Sequence, residues 1–323
     1  MQPTTHNAGS SGVLSDRHNG TPYAVIGFLV ICLLPAAFAW GLVRDVLALT
    51  FRNDTFTYIP LIPLVSAYLI YAERKSIFPA ASNGWRAGGL LIALGAASLA
   101  AARFNFFQVR PENQVSLLML AFVLTWAGAF ALFFGERAFR AASFPLLFLV
   151  FAIPIPEPML SQITLMLQQG SASATAAIFQ LLNVPFLRQD LVFELPGVAI
   201  RVAEECSGIR SSLALLITTV LASHFFLRSG WRKLVLCILV IPIVVLKNGL
   251  RIATLSTLAI YVNPGFLYGR LHHQGGVVFF LIALVPMAFV LLLLQKSENR
   301  KSVLSTTARA PMTAITPPLK DGE

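Results

Sequence analysis

The chain has 323 residues, of which 56% are hydrophobic and 12% charged, with a mean hydropathy of +0.74. Its apolar residues fall into several uninterrupted runs of bilayer length rather than amphipathic stripes, which excludes a soluble core of this size and makes the chain a polytopic membrane protein. The net charge of +10 reads as loop cations that set topology and meet anionic headgroups, so membrane lipids are expected as partners and nucleic acid is not.

Residues 1–21 are rich in Ser, Thr, Asn and Gly without periodicity and read as a disordered tail. The first apolar run, Tyr23 to Leu42, is followed by Val43 and Arg44 rather than a small-residue cleavage site, so it is expected to be retained as a helix. Further spans are expected at Phe56 to Tyr71, Ala87 to Ala102, Ser116 to Phe134 and Ser143 to Ile155. The second and fifth are short and carry Pro60, Pro63, Pro145 and Pro154, so they are either tilted or packed inside protein. Three more follow, at Ser211 to Leu227, Leu234 to Asn248 and Val277 to Leu294.

Eight spans put both termini on one side. With the N-terminus inside, the inner loops and tails hold 14 of the 24 basic residues, and several of the others (Arg201, Arg210, Lys247, Arg251) crowd one polar region. Both tails are therefore expected in the cytoplasm and that polar region outside.

Between the fifth and sixth spans, Leu160 to Leu182 mixes Leu, Ile and Met with Gln162, Gln168, Gln169 and small residues, which fits an interfacial or re-entrant helix. Alternation in Leu191 to Leu195 and again in Val198 to Val202, around Pro196-Gly197, reads as a small external hairpin. The domain organisation expected is thus a tail at 1–21, a membrane-embedded domain at 22–295 and a disordered tail at 296–323. The fold class is all-α, with about eight transmembrane helices and that hairpin.

The hairpin delivers the chain to Glu204-Glu205-Cys206-Ser207-Gly208-Ile209-Arg210-Ser211-Ser212. Three cysteines make no disulfide framework, and Cys32 and Cys237 lie inside apolar runs as small hydrophobes. Cys206 alone has a polar setting. With Ser207 or Gly208 capping the sixth helix, the helix dipole and free backbone N–H groups favour a thiolate at Cys206 and an oxyanion nearby.

Lys247, Asn248 and Arg251 follow at spacings of four and three, so they share one helix face. Two like charges there need anionic partners, and Glu204 and Glu205 are candidates; the bland alternative is that the cations snorkel to headgroups. A third polar element, Arg270-Leu271-His272-His273-Gln274-Gly275-Gly276, precedes the last span. Imidazole exchanges protons near working pH, and a His pair also binds metals, but further ligands at workable spacing are missing, so neither metal nor cofactor is expected. A thiol, a guanidinium and an imidazole on one side of the membrane make a cysteine acyl-transfer site.

Glu205-Cys206-Ser207-Gly208-Ile209-Arg210-Ser211, Asn248-Gly249-Leu250-Arg251, and His272 with Gly276 four residues on resemble the exosortase/archaeosortase family of integral membrane sorting enzymes. The resemblance extends to the multi-span layout, to Ile59-Pro60-Leu61-Ile62-Pro63-Leu64 and to Phe144-Pro145-Leu146-Leu147-Phe148. It implies a cysteine protease/transpeptidase of the bacterial inner membrane with its site on the periplasmic side. Such an enzyme cuts C-terminal sorting signals, often of Pro-Glu-Pro type, that precede a transmembrane helix in exported proteins, and passes the new end to a surface acceptor. By motif position the resemblance makes Cys206 the nucleophile, Arg251 the oxyanion stabiliser and His272 the acid/base, with His273 as runner-up. Glu204, Glu205, Ser207, Arg210 and Asn248 would support them. The chain departs from the pattern at Thr57-Tyr58, where many relatives carry His-Gly, and its own Pro156-Glu157-Pro158 lies mid-chain and is no sorting signal.

Two readings from other classes compete. A transporter or flippase for an anionic envelope precursor would use Lys247, Arg251 and the histidines as a path, but no paired broken helices mark two halves. A membrane acyl- or glycosyltransferase would leave the cysteine structural.

Overall fold

The computed structural model describes residues 20–41, 43–44, 57–78, 84–105, 110–202, 208–267 and 276–307. Helices dominate. The longer ones are α1 (Gly20–Phe38), α2 (Leu61–Ala72), α3 (Trp85–Phe104), α4 (Pro111–Ala141), α5 (Ser143–Phe148), α6 (Glu157–Leu181), α7 (Ile209–Phe226), α8 (Gly230–Tyr261) and α9 (Gly276–Thr307). Among the described residues five of these are long and apolar enough to cross a membrane, or six if Ser143–Ala152 and Glu157–Leu181 are one broken span.

The stretches read as the second and fifth spans are shorter helices than their apolar runs, and proline is the reason. Helix α2 begins only after Pro60 and accommodates Pro63 within its first turn, where a missing N–H costs nothing, so 12 residues remain. At 1.5 Å per residue that is about 18 Å, short of a bilayer core of ~30 Å. Helix α5 passes into a 3₁₀ turn at Leu149–Ala152 and stops at Ile153, whose extended ψ of 116° is what the following Pro154 demands. Helix α1 is likewise a shorter apolar helix over Tyr23–Phe38.

The chain divides into two compact units at Ser161/Gln162. In the first, α3 and α4 approach through glycine: a β-carbon on Gly88 would stand 2.8 Å from the Gly128 carbonyl oxygen, and one on Gly128 would stand 2.9 Å from that of Gly88. Between apolar helices in lipid, such close packing supplies the attraction that hydrophobicity cannot. Helix α1 lies on α4 through Phe28, which meets the rings of Phe130 and Phe134, and the Trp126 indole donates to the Cys32 carbonyl at 3.1 Å. Ser66 of α2 donates to the Pro145 carbonyl at 2.8 Å.

In the second unit a three-stranded antiparallel sheet, in the order β1 (Leu187–Gln189), β2 (Val192–Leu195) and β3 (Val198–Arg201), joins α6 to the segment before α7. Gly197, at φ 81°, makes the β2–β3 turn. Phe193 and Leu195 pack with Ala172 and Phe179 of α6 and Ile252 and Ala253 of α8.

Helices α7, α8 and α9 pack against one another, with α7 and α9 parallel and α8 antiparallel to both. Leu215, Val240, Val244, Ala283 and Met287 form their shared core, and the Thr219 hydroxyl meets the Met287 sulfur at 2.6 Å. Helix α9 also continues through 296–307, where a tail is expected from the sequence. Its Glu298 accounts for the extension by accepting from the Arg228 and Ser229 backbone N–H groups at 2.9 and 2.8 Å and from Arg232 Nη1 at 3.0 Å. Arg232 is buried, so this carboxylate neutralises a charge that water does not reach. Glu298→Ala is therefore expected to lower stability by about 2–3 kcal/mol, read as a lower Tm in detergent, because it strips a helix start and a buried guanidinium together.

Candidate active site

The approach to the candidate site is built by α6. Thr164, Gln168, Ser171, Ala172 and Thr175 are buried at helical spacing together with Leu167 and Phe179, while Leu165 and Met166 face outward. A row of small and polar side chains thus points into protein, while Gln162 and Gln169 stay exposed. The segment expected as an interfacial or re-entrant helix over Leu160 to Leu182 is one helix from Glu157 to Leu181, bent by 87° from Ser143–Ala152 as in a broken span or a re-entrant loop.

Gln168 donates from Nε2 to the Val202 carbonyl at 2.9 Å, and the Val202 N–H pairs with the Leu191 carbonyl at 2.9 Å. The last described residue before 203–207 is therefore held to both α6 and the sheet. At the other end Gly208 adopts the left-handed region, φ 69°, and forms the N-cap of α7. Its carbonyl accepts from the Ser211 hydroxyl at 3.0 Å and the Ser212 hydroxyl at 2.7 Å. A β-carbon on Gly208 would lie 3.0 Å from Asn248 Oδ1 and 3.2 Å from Lys247 Nζ, so the chain presses against α8 here.

Helix α8 runs unbroken to Tyr261 rather than ending at Asn248, which leaves Lys247, Asn248 and Arg251 inside a helix. Lys247 is 5% exposed and does not snorkel; its ammonium donates to the Ser211 hydroxyl at 2.5 Å. Asn248 is fully buried and donates from Nδ2 to Ser171 at 3.0 Å. One residue on, a β-carbon at Gly249 would stand 2.6 Å from that of Ala174, and the Gly249 carbonyl accepts from the Thr175 hydroxyl at 3.3 Å. The α6–α8 contact is thus made of Ser171, Ala174 and Thr175 against Asn248 and Gly249. Arg251 stands one turn beyond Lys247 and is partly buried, and Arg210 is exposed on α7.

Leu215, Val240, Val244 and Ala283 share a cluster on α7, α8 and α9. Toward the same end, Gly208 at the start of α7 lies level with Lys247 and Asn248 of α8, and Arg251 follows on the same helix. The Thr219–Met287 contact has the same offset of 68 residues that relates Gly208 to Gly276.

Of the residues singled out from the sequence, Arg210, Lys247, Asn248 and Arg251 are described, and Lys247, Asn248 and Arg251 lie on α8 in this region. Glu204, Glu205, Cys206, Ser207, His272 and His273 lie outside the described residues, as does any pairing of Lys247 with Glu204 or Glu205. Sequence reasoning missed Gln168, Ser171 and Thr175 as contributors. Their signal was present as a recurrence of small and polar residues at steps of three and four.

The family model described as Transmembrane exosortase matches residues 47–289, about three quarters of the chain. No curated protein and no solved structure matches it.

Gly208→Ala tests the local geometry. It forces an L side chain into the left-handed region and against Lys247 and Asn248, so a loss of about 1–2 kcal/mol is expected, measured by thermal unfolding in detergent.

Proposed function

The chain belongs to the transmembrane exosortase family, and from that membership we propose that it is a cysteine transpeptidase that cuts the C-terminal sorting tails of exported membrane-anchored proteins. The observation that supports this reading is the packing of Gly208 against Lys247 and Asn248 of the helix that carries Arg251. Cys206 lies two residues before Gly208 and His272 four before Gly276. Two residues of chain reach at most about 7 Å and four about 14 Å, so the reading asks the thiol and the imidazole to lie no farther than that from Gly208 and Gly276.

In the proposed reaction His272 takes the Cys206 proton and the thiolate attacks the scissile carbonyl. Arg251 stabilises the oxyanion that forms. Collapse expels the amine of the tail, which receives the proton from His272, and leaves a thioester on Cys206. A nucleophilic group of the surface acceptor, or water, attacks that thioester, loses its proton to His272 and frees the thiol. Substrates are taken to carry a Pro-Glu-Pro type motif, a transmembrane helix and a basic cluster. The site faces the periplasm and both tails face the cytoplasm of a bacterial inner membrane.

The test is co-expression with a membrane protein bearing such a tail, followed by size analysis. Processing is expected to vanish with Cys206→Ala, to fall by about 10²–10³-fold with Arg251→Gln, and to be lost with only one of His272→Ala and His273→Ala. Processing that survives Cys206→Ala refutes the nucleophile and favours the transport reading.

A further inference from the structure

Strand β3 is an edge of its sheet among the described residues and is the last strand before Cys206. The direction of its backbone groups follows from one hydrogen bond. Val192 pairs with Arg201, so Leu191 stands opposite Val202, and the Val202 N–H donates to the Leu191 carbonyl. In an antiparallel ladder the residues that exchange hydrogen bonds alternate, which turns Val198, Ile200 and Val202 toward β2. The N–H and C=O groups of Ala199 and Arg201 consequently point away from the sheet. Both side chains lie on its exposed face, whereas Val198 and Ile200 pack inward.

Proteins protect such edges with very short strands, charged side chains, proline or a bulge. The four-residue β3 is short and ends on the charged Arg201, but Val198-Ala199-Ile200 carries no proline or charge, and Ala199 is small and exposed. The edge is also held in place. Phe193, opposite Ile200, is buried in the cluster with Phe179 and Ile252, and Gln168 holds the Val202 carbonyl where the strand ends.

We propose that the outer edge of β3 is a docking strand on which an extended stretch of the substrate's polypeptide adds as a fourth strand, through the N–H and C=O groups of Ala199 and Arg201. This rests on the peptidase reading above and deepens it. Main-chain pairing gives affinity without demanding a particular side chain, and it aligns the peptide along the strand that runs on to the nucleophile. The occupant is a peptide rather than a second copy of this chain, because the strand's backbone continues directly into the Cys206 segment. Edge-to-edge pairing of two copies would block the strand that leads to each cysteine.

The outward N–H makes the test selective. Ala199→Pro removes the donor that faces the substrate and leaves the β2 pairing donors intact, a placement edge strands tolerate. In the full-length protein, co-expressed with a tail-bearing substrate, processing is expected to fall at least tenfold while the amount in the membrane stays at the wild-type level. In parallel, a photo-crosslinking residue at position 199 in the Cys206→Ala background is expected to capture the uncleaved tail. Wild type that processes the tail while Ala199→Pro does so equally well overturns the docking strand and leaves the peptidase standing. So does crosslinking at position 199 to a second copy of the chain, or no crosslink to the tail. If Ala199→Pro fails to accumulate, the crosslink alone decides. Wild type that processes no tail removes the peptidase reading and this proposal with it.

Discussion

The contact between α6 and α8 is the constraint on which the candidate site depends. Helices in a bilayer gain little from hiding apolar surface against each other, since lipid is as apolar as leucine. What brings these two together is shape and a few hydrogen bonds: Gly249 admits Ala174 and Thr175, and Asn248 reaches Ser171. From that contact everything else takes its position. Helix α6 carries Gln168 to the end of β3, and α8 carries Lys247 and Asn248 to the start of α7.

Lys247 shows why this arrangement is exacting. An ammonium kept from water costs several kcal/mol unless hydrogen bonds or a counter-charge offset it. Its described partner is Ser211, a hydroxyl that in turn donates to the Gly208 carbonyl. The cation, the serine and the left-handed glycine therefore form one chain of contacts, and moving α8 disturbs the cap of α7. A snorkelling lysine makes no such link, because its charge leaves for the headgroups.

The layout of helices was legible to the degree that apolar runs report it. The runs around Ala87, Ser116, Ser211, Leu234 and Val277 became long helices, though α8 and α9 overran their expected ends. Hydropathy marks where a chain leaves the apolar phase and not where its helix stops, so Lys247 and Arg251 read as a span's end when they are its interior. The short second and fifth helices followed from prolines that the sequence displays, yet their effect on length needs backbone geometry. Of the residues expected at the site, Asn248 and Arg251 lie on one helix, with Asn248 buried against α6. Ser171 and Thr175 escaped notice because they act by packing against α8, and Gln168 because it acts on the end of β3; polar residues in an apolar helix announce neither sidedness nor partner.

The far ends of α7, α8 and α9 also bear on the site. Parallel helices can slide, and one turn of α9 along α7 would displace Gly276 by about 5.4 Å. Catalytic groups tolerate far less, since a misplacement near 1 Å is enough to cost orders of magnitude in rate. Two contacts prevent the slide. Thr219 and Met287 mesh in the middle, and Glu298 clasps the α7–α8 turn through Arg228, Ser229 and Arg232. Neither contact lies near Arg251, yet both set the level at which α9 begins. A carboxylate at the opposite end of the bundle thus fixes the register of α9 against α7 and α8, because rigid helices carry register along their length.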